Sequence, residues 1–300
     1  MSKQSLAKSK FCNLSVVLAT RNEESNISAV LESVKSIADE IVVVDEKSQD
    51  RTREIAKKYG ARVYEVEHEP IFHKTKQKAL NKAKFDWILQ LDADERVMPK
   101  LAKEIKDVID MPTAKILARR PGDNKKWALF QKHQKIIEKR NGHVGRPTGE
   151  VVAFFLPRKN IFLGKPLVHA GVYPDPAIRL IKNGKAHFPA KSVHEIMQID
   201  GEVAWLFNDL EHYDSPTFSR YLERANRYTS LTAMEFEQKK SSKNIIVLFF
   251  YSFVKPIMVF LMLYVRHKGF LDGVRGFIWS AFSALHFPLA YFKYWVGETK

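Results

Sequence analysis

The chain has 300 residues, 45% hydrophobic and 28% charged, a composition that excludes a disordered or fibrous protein. It carries 49 lysines and arginines against 34 aspartates and glutamates, and the net charge of +15 favours an anionic partner such as a membrane surface or a nucleic acid. The single cysteine, Cys12, excludes an internal disulfide and a cysteine metal site. The polar, basic N-terminus predicts no secretory signal and therefore a cytoplasmic location.

Apolar strands and amphipathic helices alternate over the first hundred residues. In chain order the pattern predicts strand 14–19, a helix over 27–37 capped by Asn22 or Ser25, strand 41–44, a helix from Asp50 to Gly60, strand 62–66, helix 75–84 and strand 87–91. This alternation is typical of a parallel sheet with helices on both faces. Such a sheet binds ligands beyond the carboxyl ends of its strands.

Polar residues follow three of these strands at that edge. Thr20-Arg21-Asn22-Glu23 follows the first strand, Asp45 the second, and Asp92-Ala93-Asp94 the fourth. No strand-to-helix turn has a G-x-G-x-x-G or Walker A sequence, which excludes a dinucleotide or P-loop cradle. Carboxylates at positions i and i+2 can share a hard cation with a nucleotide diphosphate. The sequence therefore predicts a nucleotide site that uses Mg²⁺ or Mn²⁺.

Two segments carry most of the excess charge. Residues 119–146 have a net charge of +7 and contain turn-forming glycines, so we expect a mobile basic loop that approaches an anionic acceptor or a membrane. Residues 239–300 also have a net charge of +7. Between these segments, Arg179–Lys182 is interpreted either as the lining of an acceptor groove or as an edge strand with exposed cations.

The second basic segment is interleaved with the most apolar part of the chain. Residues 245–265 are long enough to span a bilayer, but Lys255-Pro256 places a charge and a helix break at the centre. A second apolar run, 277–292, is shorter. The pattern favours amphipathic elements that lie in the headgroup layer, facing anionic lipid, over a membrane span. The alternative is a buried C-terminal helical hairpin.

Several motifs, taken in order, resemble one known family. They are LSVVLATRNEES, IVVVDEKSQDRT, KQKALNKAKFDWILQLDADE, Val193-His194-Glu195, His212-Tyr213 and the GFLDG of residues 269–273. This set is similar to the family 2 glycosyltransferases of the A-type fold, and in particular to their bacterial lipopolysaccharide-core β-glycosyltransferase branch. The resemblance implies an α/β, Rossmann-like GT-A fold for nucleotide-diphospho-sugar transfer, with a helical, membrane-associating C-terminal region.

The resemblance also implies roles for individual residues. The donor-binding residues are expected to be Thr20, Arg21, Glu23, Asp45, Ser48, Asp50, Lys76 and Asp92. Asp94 is expected to be the principal ligand of Mn²⁺ or Mg²⁺, with Asp92 and His212 as further candidates. Glu195 is the expected catalytic base, and His194 is the alternative. The pair Asp45-Glu46 stands where two aspartates are usual, and Arg21 stands where many members carry tyrosine, so the donor base stays open between UDP, the default, and GDP or dTDP.

The predicted function is inverting transfer of a single hexose from a nucleotide sugar to a lipid-linked or lipopolysaccharide-type glycan. The enzyme is expected to lie on the inner face of the cytoplasmic membrane, as a peripheral or monotopic protein. The expected organisation is a donor half (1–112), an acceptor half (113–238) and a membrane-associating tail (239–300). A polyprenyl-phosphate glycosyltransferase is the neighbouring alternative. A non-catalytic basic membrane scaffold and a nucleic-acid binder are alternatives from other classes, and the chain contains no recognisable nucleic-acid module.

Overall fold

The computed structural model describes residues 13–189 and 196–298. The chain forms two compact units, the first made of Met1–Arg158 and Pro176–Glu211 and the second of Lys159–Asp175 and His212–Lys300. The division at residues 112 and 238 stays a prediction.

The N-terminal 158 residues contain the first strands and helices of the chain. They are β1 (Leu14–Thr20), α1 (Glu24–Val34), β2 (Glu40–Asp45), α2 (Thr52–Lys58), β3 (Arg62–Glu65), α3 (Phe72–Leu80), β4 (Trp87–Leu91), β5 (Glu95–Val97), α4 (Pro99–Ile109), α5 (Thr113–Ala118), α6 (Asn124–Asn141) and the start of β6 (Val151–Phe162). Strands and helices alternate as the sequence predicts from β1 to β4, and two short elements and two longer helices then follow before β6. The remaining elements include short strands and long helices. They are β7 (Lys165–Pro166), β8 (Pro176–Lys182), β9 (Ala186–His187), β10 (Gln198–Ile199), β11 (Glu202–Trp205), β12 (Leu210–Ser215), α7 (Phe218–Gln238), α8 (Ile245–Phe249), α9 (Lys255–Leu261) and α10 (Gly273–Val296).

The core of the first unit is a mixed sheet. β3, β2, β1 and β4 are parallel neighbours in that order, and β1 is buried at all seven positions, as expected for a strand covered on both faces. The predicted parallel sheet is confirmed for these four strands. β8 then pairs antiparallel with β4, and β6 pairs antiparallel with β8. The pairings Thr20 with Asp45 and Leu18 with Leu91 place the carboxyl ends of β1, β2 and β4 side by side.

Two predicted helix boundaries are wrong. α1 begins at Glu24 and its N-cap residue is Glu23, which makes no capping side-chain hydrogen bond, so neither Asn22 nor Ser25 is the N-cap. Asn22 instead has a positive φ of 54° in the preceding loop. α3 runs over Phe72–Leu80, so it begins three residues before the predicted start. Thr75 and Lys76, which the predicted boundary puts in its first turn, are instead buried in its middle.

The basic segment 119–146 is not the mobile loop that its composition predicts. It contains α6, an 18-residue helix that begins where Asp123 accepts the N–H of Lys125 and ends at Gly142, whose φ is 84°. Phe130 has no exposed surface and stacks on Trp205, with ring centroids 4.5 Å apart. The indole N–H of Trp205 donates to Oε1 of Gln134 at 2.9 Å. One apolar face with a hydrogen-bonded aromatic partner therefore docks the helix on the first unit.

The second unit is largely helical. Residues Ile245–Arg266 form one continuous helix, called here the apolar helix, which has a mean hydropathy of 2.3 in its most apolar window and is long and apolar enough to cross a membrane. Lys255-Pro256 does not break it, because a π-helical stretch, Phe250–Val254, precedes this pair and accommodates the missing proline N–H. A 3₁₀ turn, Gly269–Asp272, then leads into α10, which packs on the apolar helix and on α7.

Candidate active site

A buried carboxylate joins the ends of β1 and β2. Asp45 has no exposed surface, and its Oδ2 accepts the hydroxyl of Thr20 (2.8 Å) and that of Ser48 (2.6 Å). Its Oδ1 accepts the N–H of Ser48 at 2.8 Å and lies 3.6 Å from Nε of Arg53. Three predicted donor-binding residues are therefore brought together here. A donor that contacts Asp45 has to replace one of these hydrogen bonds.

The loop after β1 is tied to the loop after β2. The N–H of Asn22 donates to Oγ of Ser48, and Oδ1 of Asn22 accepts the N–H of Gln49, both at 2.8 Å. The N–H of Glu23 donates to Oγ1 of Thr52 at 2.8 Å. A left-handed conformation at Asn22 is tolerated because asparagine adopts it more readily than most residues. The two loops form one hydrogen-bonded rim beside the strand ends.

Asp50 links the first turns of two helices at this rim. Its Oδ2 accepts the N–H of Glu24, the first residue of α1, and its Oδ1 accepts the N–H of Thr52, the first residue of α2, both at 3.0 Å. Burial alone would raise the pKa of Asp50, but these hydrogen bonds hold it below its ordinary value. Asp50 thus shapes the loop, and its contact with a donor stays a prediction.

Glu46, which stands in place of the second usual aspartate, organises a second set of contacts. It is buried, and it accepts the hydroxyl of Thr75 on α3. Its Oε2 lies 2.6 Å from Nδ1 of His68, and the ring nitrogens of His68 lie 2.9 Å from a guanidinium nitrogen of Arg21. The longer side chain of a glutamate reaches α3 and so fixes the helix that carries Lys76.

Asp92, at the carboxyl end of β4, is paired with two cations. Its Oδ1 lies 2.5 Å from Nζ of Lys76, and its Oδ2 lies 2.5 Å from a guanidinium nitrogen of Arg179 on β8. Burial alone would raise the pKa of Asp92, but the charges of Arg179 and Lys76 hold it well below its usual range. Asp92 is therefore ionised throughout the physiological range.

Arg179 connects the whole β4–β5 turn to β8. It is only 7% exposed, and its guanidinium donates to Oε1 of Glu95 (2.9 and 3.1 Å) and to Oε1 of Gln90 (2.8 Å). Glu95 has no exposed surface, and a guanidinium nitrogen of Arg158 lies 3.6 Å from it. Burial alone would lower the pKa of Arg179, but the carboxylates of Asp92 and Glu95 raise it above its ordinary value. Because β8 pairs with β4 on one side and with β6 on the other, the alternative of an edge strand with exposed cations is wrong. The lining of an acceptor groove by Arg179–Lys182 stays a prediction.

Asp94 lies half-buried in the turn between β4 and β5. The role of Asp94 as the principal metal ligand stays a prediction. No group of three His, Cys, Asp or Glu side chains that could hold a metal occurs in residues 13–189 and 196–298. Mg²⁺ is commonly held by one or two carboxylates together with substrate phosphates, so a single protein carboxylate fits this chemistry.

The remaining predicted site residues lie elsewhere. Glu195 and His194 fall outside the described residues. His212 belongs to the second unit, where its Nδ1 lies 2.6 Å from Oδ1 of Asn160. An amide oxygen accepts only, so this contact places the proton on Nδ1. The role of His212 at a metal stays a prediction.

The family follows from a comparison with known proteins. Residues 15–170 match the family described as Glycosyl transferase family 2. The chain belongs to this family. The predicted family and its Rossmann-like GT-A fold are thus confirmed.

Individual relatives cover this glycosyltransferase to different extents. LpsC of Rhizobium meliloti, a lipopolysaccharide core biosynthesis glycosyltransferase, is 25% identical over 281 residues, which are 91% of this chain and 88% of LpsC. An uncharacterized glycosyltransferase of Rickettsia bellii is 40% identical over 99 residues, and the chain spans only 31% of the length of that protein. The solved structure of glucosyl-3-phosphoglycerate synthase from Mycobacterium tuberculosis with Mn²⁺ and UDP is 29% identical, with 29% of this chain and 35% of that one covered and a TM-score of 0.26.

The sequence reasoning did not anticipate the contacts of three buried residues at these strand ends. Arg179 and Glu95 escaped because their pairing joins strands 84 positions apart in the chain. A signal was present, since an arginine inside the apolar run AIRLI has to be compensated when it is buried. Glu46 was treated only as a departure from the family pattern, although its buried carboxylate fixes α3.

Proposed function

We propose that this glycosyltransferase moves a single hexose from a nucleotide sugar, by default a UDP-hexose, to a lipopolysaccharide-type or lipid-linked glycan, with inversion at the anomeric carbon. The observation that carries the proposal is the Asp92–Asp94 turn, which lies beside the ends of β1 and β2 and is held by Lys76 and Arg179. The match to LpsC over 91% of the chain supports the class of acceptor.

The donor is bound at the strand ends in this proposal. Thr20, Ser48 and Asp50 shape the rim for the base and ribose, with Arg21 and Glu23 beside it. Asp94 holds Mn²⁺ or Mg²⁺, which neutralises charge on the leaving diphosphate when it is bound. Lys76 and Arg179 keep Asp92 ionised and fixed in orientation, so that it presents a carboxylate edge to the ribose or to a metal-bound water.

The acceptor hydroxyl needs a base. Glu195 takes its proton as the hydroxyl oxygen attacks the anomeric carbon, the new glycosidic bond forms, and the bond to the nucleotide diphosphate breaks. His194 is the alternative base. If the acceptor is a polyprenyl phosphate, its oxygen is already ionised, and Glu195→Gln should then change the transfer rate little.

The experiment is donor turnover and binding by purified protein in detergent. A panel of UDP-, GDP- and dTDP-hexoses is tested with Mn²⁺, with Mg²⁺ and with chelator. We expect turnover of one donor only with metal, and a roughly thousandfold loss of kcat/KM in Asp94→Ala because the leaving charge is no longer neutralised. Asp107→Ala is the matched control, because Asp107 is an exposed carboxylate paired with Lys103 on α4.

Two outcomes contradict the proposal. Turnover by Asp94→Ala at the wild-type rate would remove the metal role of this residue. Absence of binding to every donor, in a protein that is folded by circular dichroism, would favour the non-catalytic scaffold.

We further propose that the enzyme acts at the cytoplasmic face of the membrane, where lipid-linked acceptors are accessible to it, and that nucleic acid is not a partner.

A further inference from the structure

One side of the second unit is apolar and open to solvent. On the apolar helix, exposed side chains recur every three or four positions, for example Ile246, Phe253, Ile257, Leu261 and Val265, with exposed fractions between 51% and 75%. α10 adds the exposed Phe277, Leu285 and Leu289. We call the exposed apolar side chains of 245–296 the hairpin face. Within the described residues, 19 of the 27 large hydrophobic side chains that are exposed belong to it. A continuous patch of this kind marks a binding surface.

The opposite side of the same hairpin is covered by α7. Tyr221 packs on Trp279 and Phe282, with centroids 5.9 Å away in each case, and Phe236 packs on Tyr291 at 5.7 Å. Nζ of Lys293 lies within 2.6–2.9 Å of four oxygens of α7, which belong to Asn226, Thr229 and Ser230. These contacts run along α10 from residue 279 to residue 294, about 22 Å of helix. The exposed surface of α7 is mixed: it carries charged residues such as Glu223 and Arg227 and the less exposed apolar side chains of Phe218, Leu222, Tyr228 and Met234.

The polar groups of the hairpin are turned away from this face. Lys255 is half-buried, with Nζ 5.0 Å from the ring centroid of Phe287 on α10. The carboxylate of Asp272 is bound by the N–H and the ring of His169, both at 2.8 Å. The hydroxyls of Tyr291 and Tyr294 donate to the carbonyls of Ser242 and Ser241. The lysine that argued against a membrane span in the sequence therefore lies on the inner side of the apolar helix.

Cations surround the tip of the hairpin. Arg266, His267 and Lys268 are exposed at the end of the apolar helix, directly before the exposed Phe270 and Leu271. Apolar side chains beside cations match the boundary between the acyl chains and the anionic headgroups of a bilayer. Each basic residue near such a surface contributes roughly 1 kcal/mol of binding free energy. This charge pattern favours a lipid surface over a second copy of the chain, whose tip would carry the same positive charge.

We propose that the hairpin face lies flat in the headgroup region of an anionic bilayer and that the apolar helix does not span it. A span would draw α7, which covers α10 over four turns, into the hydrocarbon together with its charged residues. Lying flat buries the exposed stripe and leaves α7 in water. The proposal rests on the proposed function in one respect only: a lipid-linked acceptor explains why the enzyme would need a membrane.

The first test is flotation of the full-length protein with lipid vesicles. We expect the wild type to bind vesicles of phosphatidylcholine and phosphatidylglycerol. The triple variant Phe253→Ser/Ile257→Ser/Leu261→Ser should bind roughly hundredfold more weakly, because it loses three apolar side chains that the lipid would bury. Arg266→Gln/Lys268→Gln should weaken binding roughly thirtyfold, and only when phosphatidylglycerol is present. The matched control is Ile136→Ser, which removes a 54% exposed isoleucine from α6 and should bind like the wild type.

The second test measures depth along the apolar helix. In a Cys12→Ser background, a single cysteine replaces Ile246, Ile257 or Val265, which all lie on the exposed side of the apolar helix. Each cysteine is labelled with a fluorophore. Quenchers attached to the lipid at known depths then measure how deep each fluorophore lies. A flat helix gives the same shallow depth at all three positions. A spanning helix puts position 257 deepest, about 12–16 Å below the other two. Ile136→Cys, labelled in the same way, should not be quenched.

The outcomes separate this proposal from the proposed function. Equal depths with vesicle binding support a flat anchor, whereas a deepest central position overturns it in favour of a span. If the protein binds vesicles of no lipid composition and instead forms a dimer that the triple serine variant abolishes, the proposal is overturned. The hairpin face would then bind a second copy of the chain. Donor turnover in detergent is measured for every variant. Because turnover needs no vesicle, its absence in a protein that binds vesicles would contradict the function and leave the anchor standing.

Discussion

The two compact units treat polar and apolar groups in opposite ways. At the strand ends of the first unit, Asp45, Glu95 and Arg179 are buried, and each has charged or hydrogen-bonding partners. In the second unit, polar groups such as the hydroxyl of Tyr291 bond inward, and the large apolar side chains of the hairpin face are exposed. In the first arrangement the buried polar groups have their partners within the protein. In the second, the exposed apolar side chains are removed from water only when an apolar partner covers them.

The comparison shows where each unit is vulnerable. A buried ion pair contributes little net stability over an apolar pair, but removing one partner leaves a charge without compensation. An exposed apolar residue contributes little until its partner is present. Substitutions in the first unit should therefore change folding stability, and substitutions on the hairpin face should change binding instead.

The largest effect is expected for Arg179→Met. The variant leaves Asp92 and Glu95 without their shared guanidinium, so we expect the free energy of unfolding to fall by about 3–5 kcal/mol. Urea unfolding measures the change. The control is Arg140→Met, which removes an exposed arginine from α6 and should cost less than about 0.5 kcal/mol. Equal losses in the two variants would show that the buried charges do not matter for stability.

A somewhat smaller effect is expected for Phe130→Ala. The ring of Phe130 is fully buried against Trp205, so its removal should cost about 3–4 kcal/mol. Ile136→Ala on the exposed side of α6 is the control and should be nearly neutral. If both substitutions were neutral in urea unfolding, α6 would behave as the mobile loop that its composition suggests rather than as a docked helix.

The smallest effect concerns Tyr221 in the second unit. Burial, with repulsion from Asp214, raises the pKa of Tyr221 to about 12, against the opposing hydrogen bond with Ser283. The neutral phenol is favoured in the folded state, so its contribution is present below about pH 10 and is lost as pH rises towards 12. At pH 11 the wild type should lose about 1 kcal/mol that Tyr221→Phe does not lose.

The measurement is urea unfolding at pH 8 and at pH 11. Tyr228→Phe is the control, because Tyr228 is 37% exposed on the same helix, and it should retain the wild-type pH dependence. Identical pH dependence in Tyr221→Phe and the wild type would contradict the burial of this phenol.

Local patterns predicted the strands β1 to β4 well, because β-branched runs such as those of β1 and β2 are specified by their own residues. They failed where long-range pairing decides the outcome. The burial of Arg179 depends on β8 lying beside β4, and a single sequence gives no register for an antiparallel strand that returns after about ninety residues. The docking of α6 depends likewise on Trp205. The continuous apolar helix depends on a π-helical stretch that no composition rule anticipates.

The position of Arg179 also bears on modularity. The matched family segment ends at residue 170, whereas the cation that neutralises Asp92 and Glu95 arrives nine residues later, on β8. A fragment cut at that boundary would retain both acidic side chains and lose their shared counter-charge. The cluster of charged residues at these strand ends therefore cannot be separated from β8. Recombination or domain grafting that keeps it intact has to carry the returning strand Pro176–Lys182 along with the segment that defines the family.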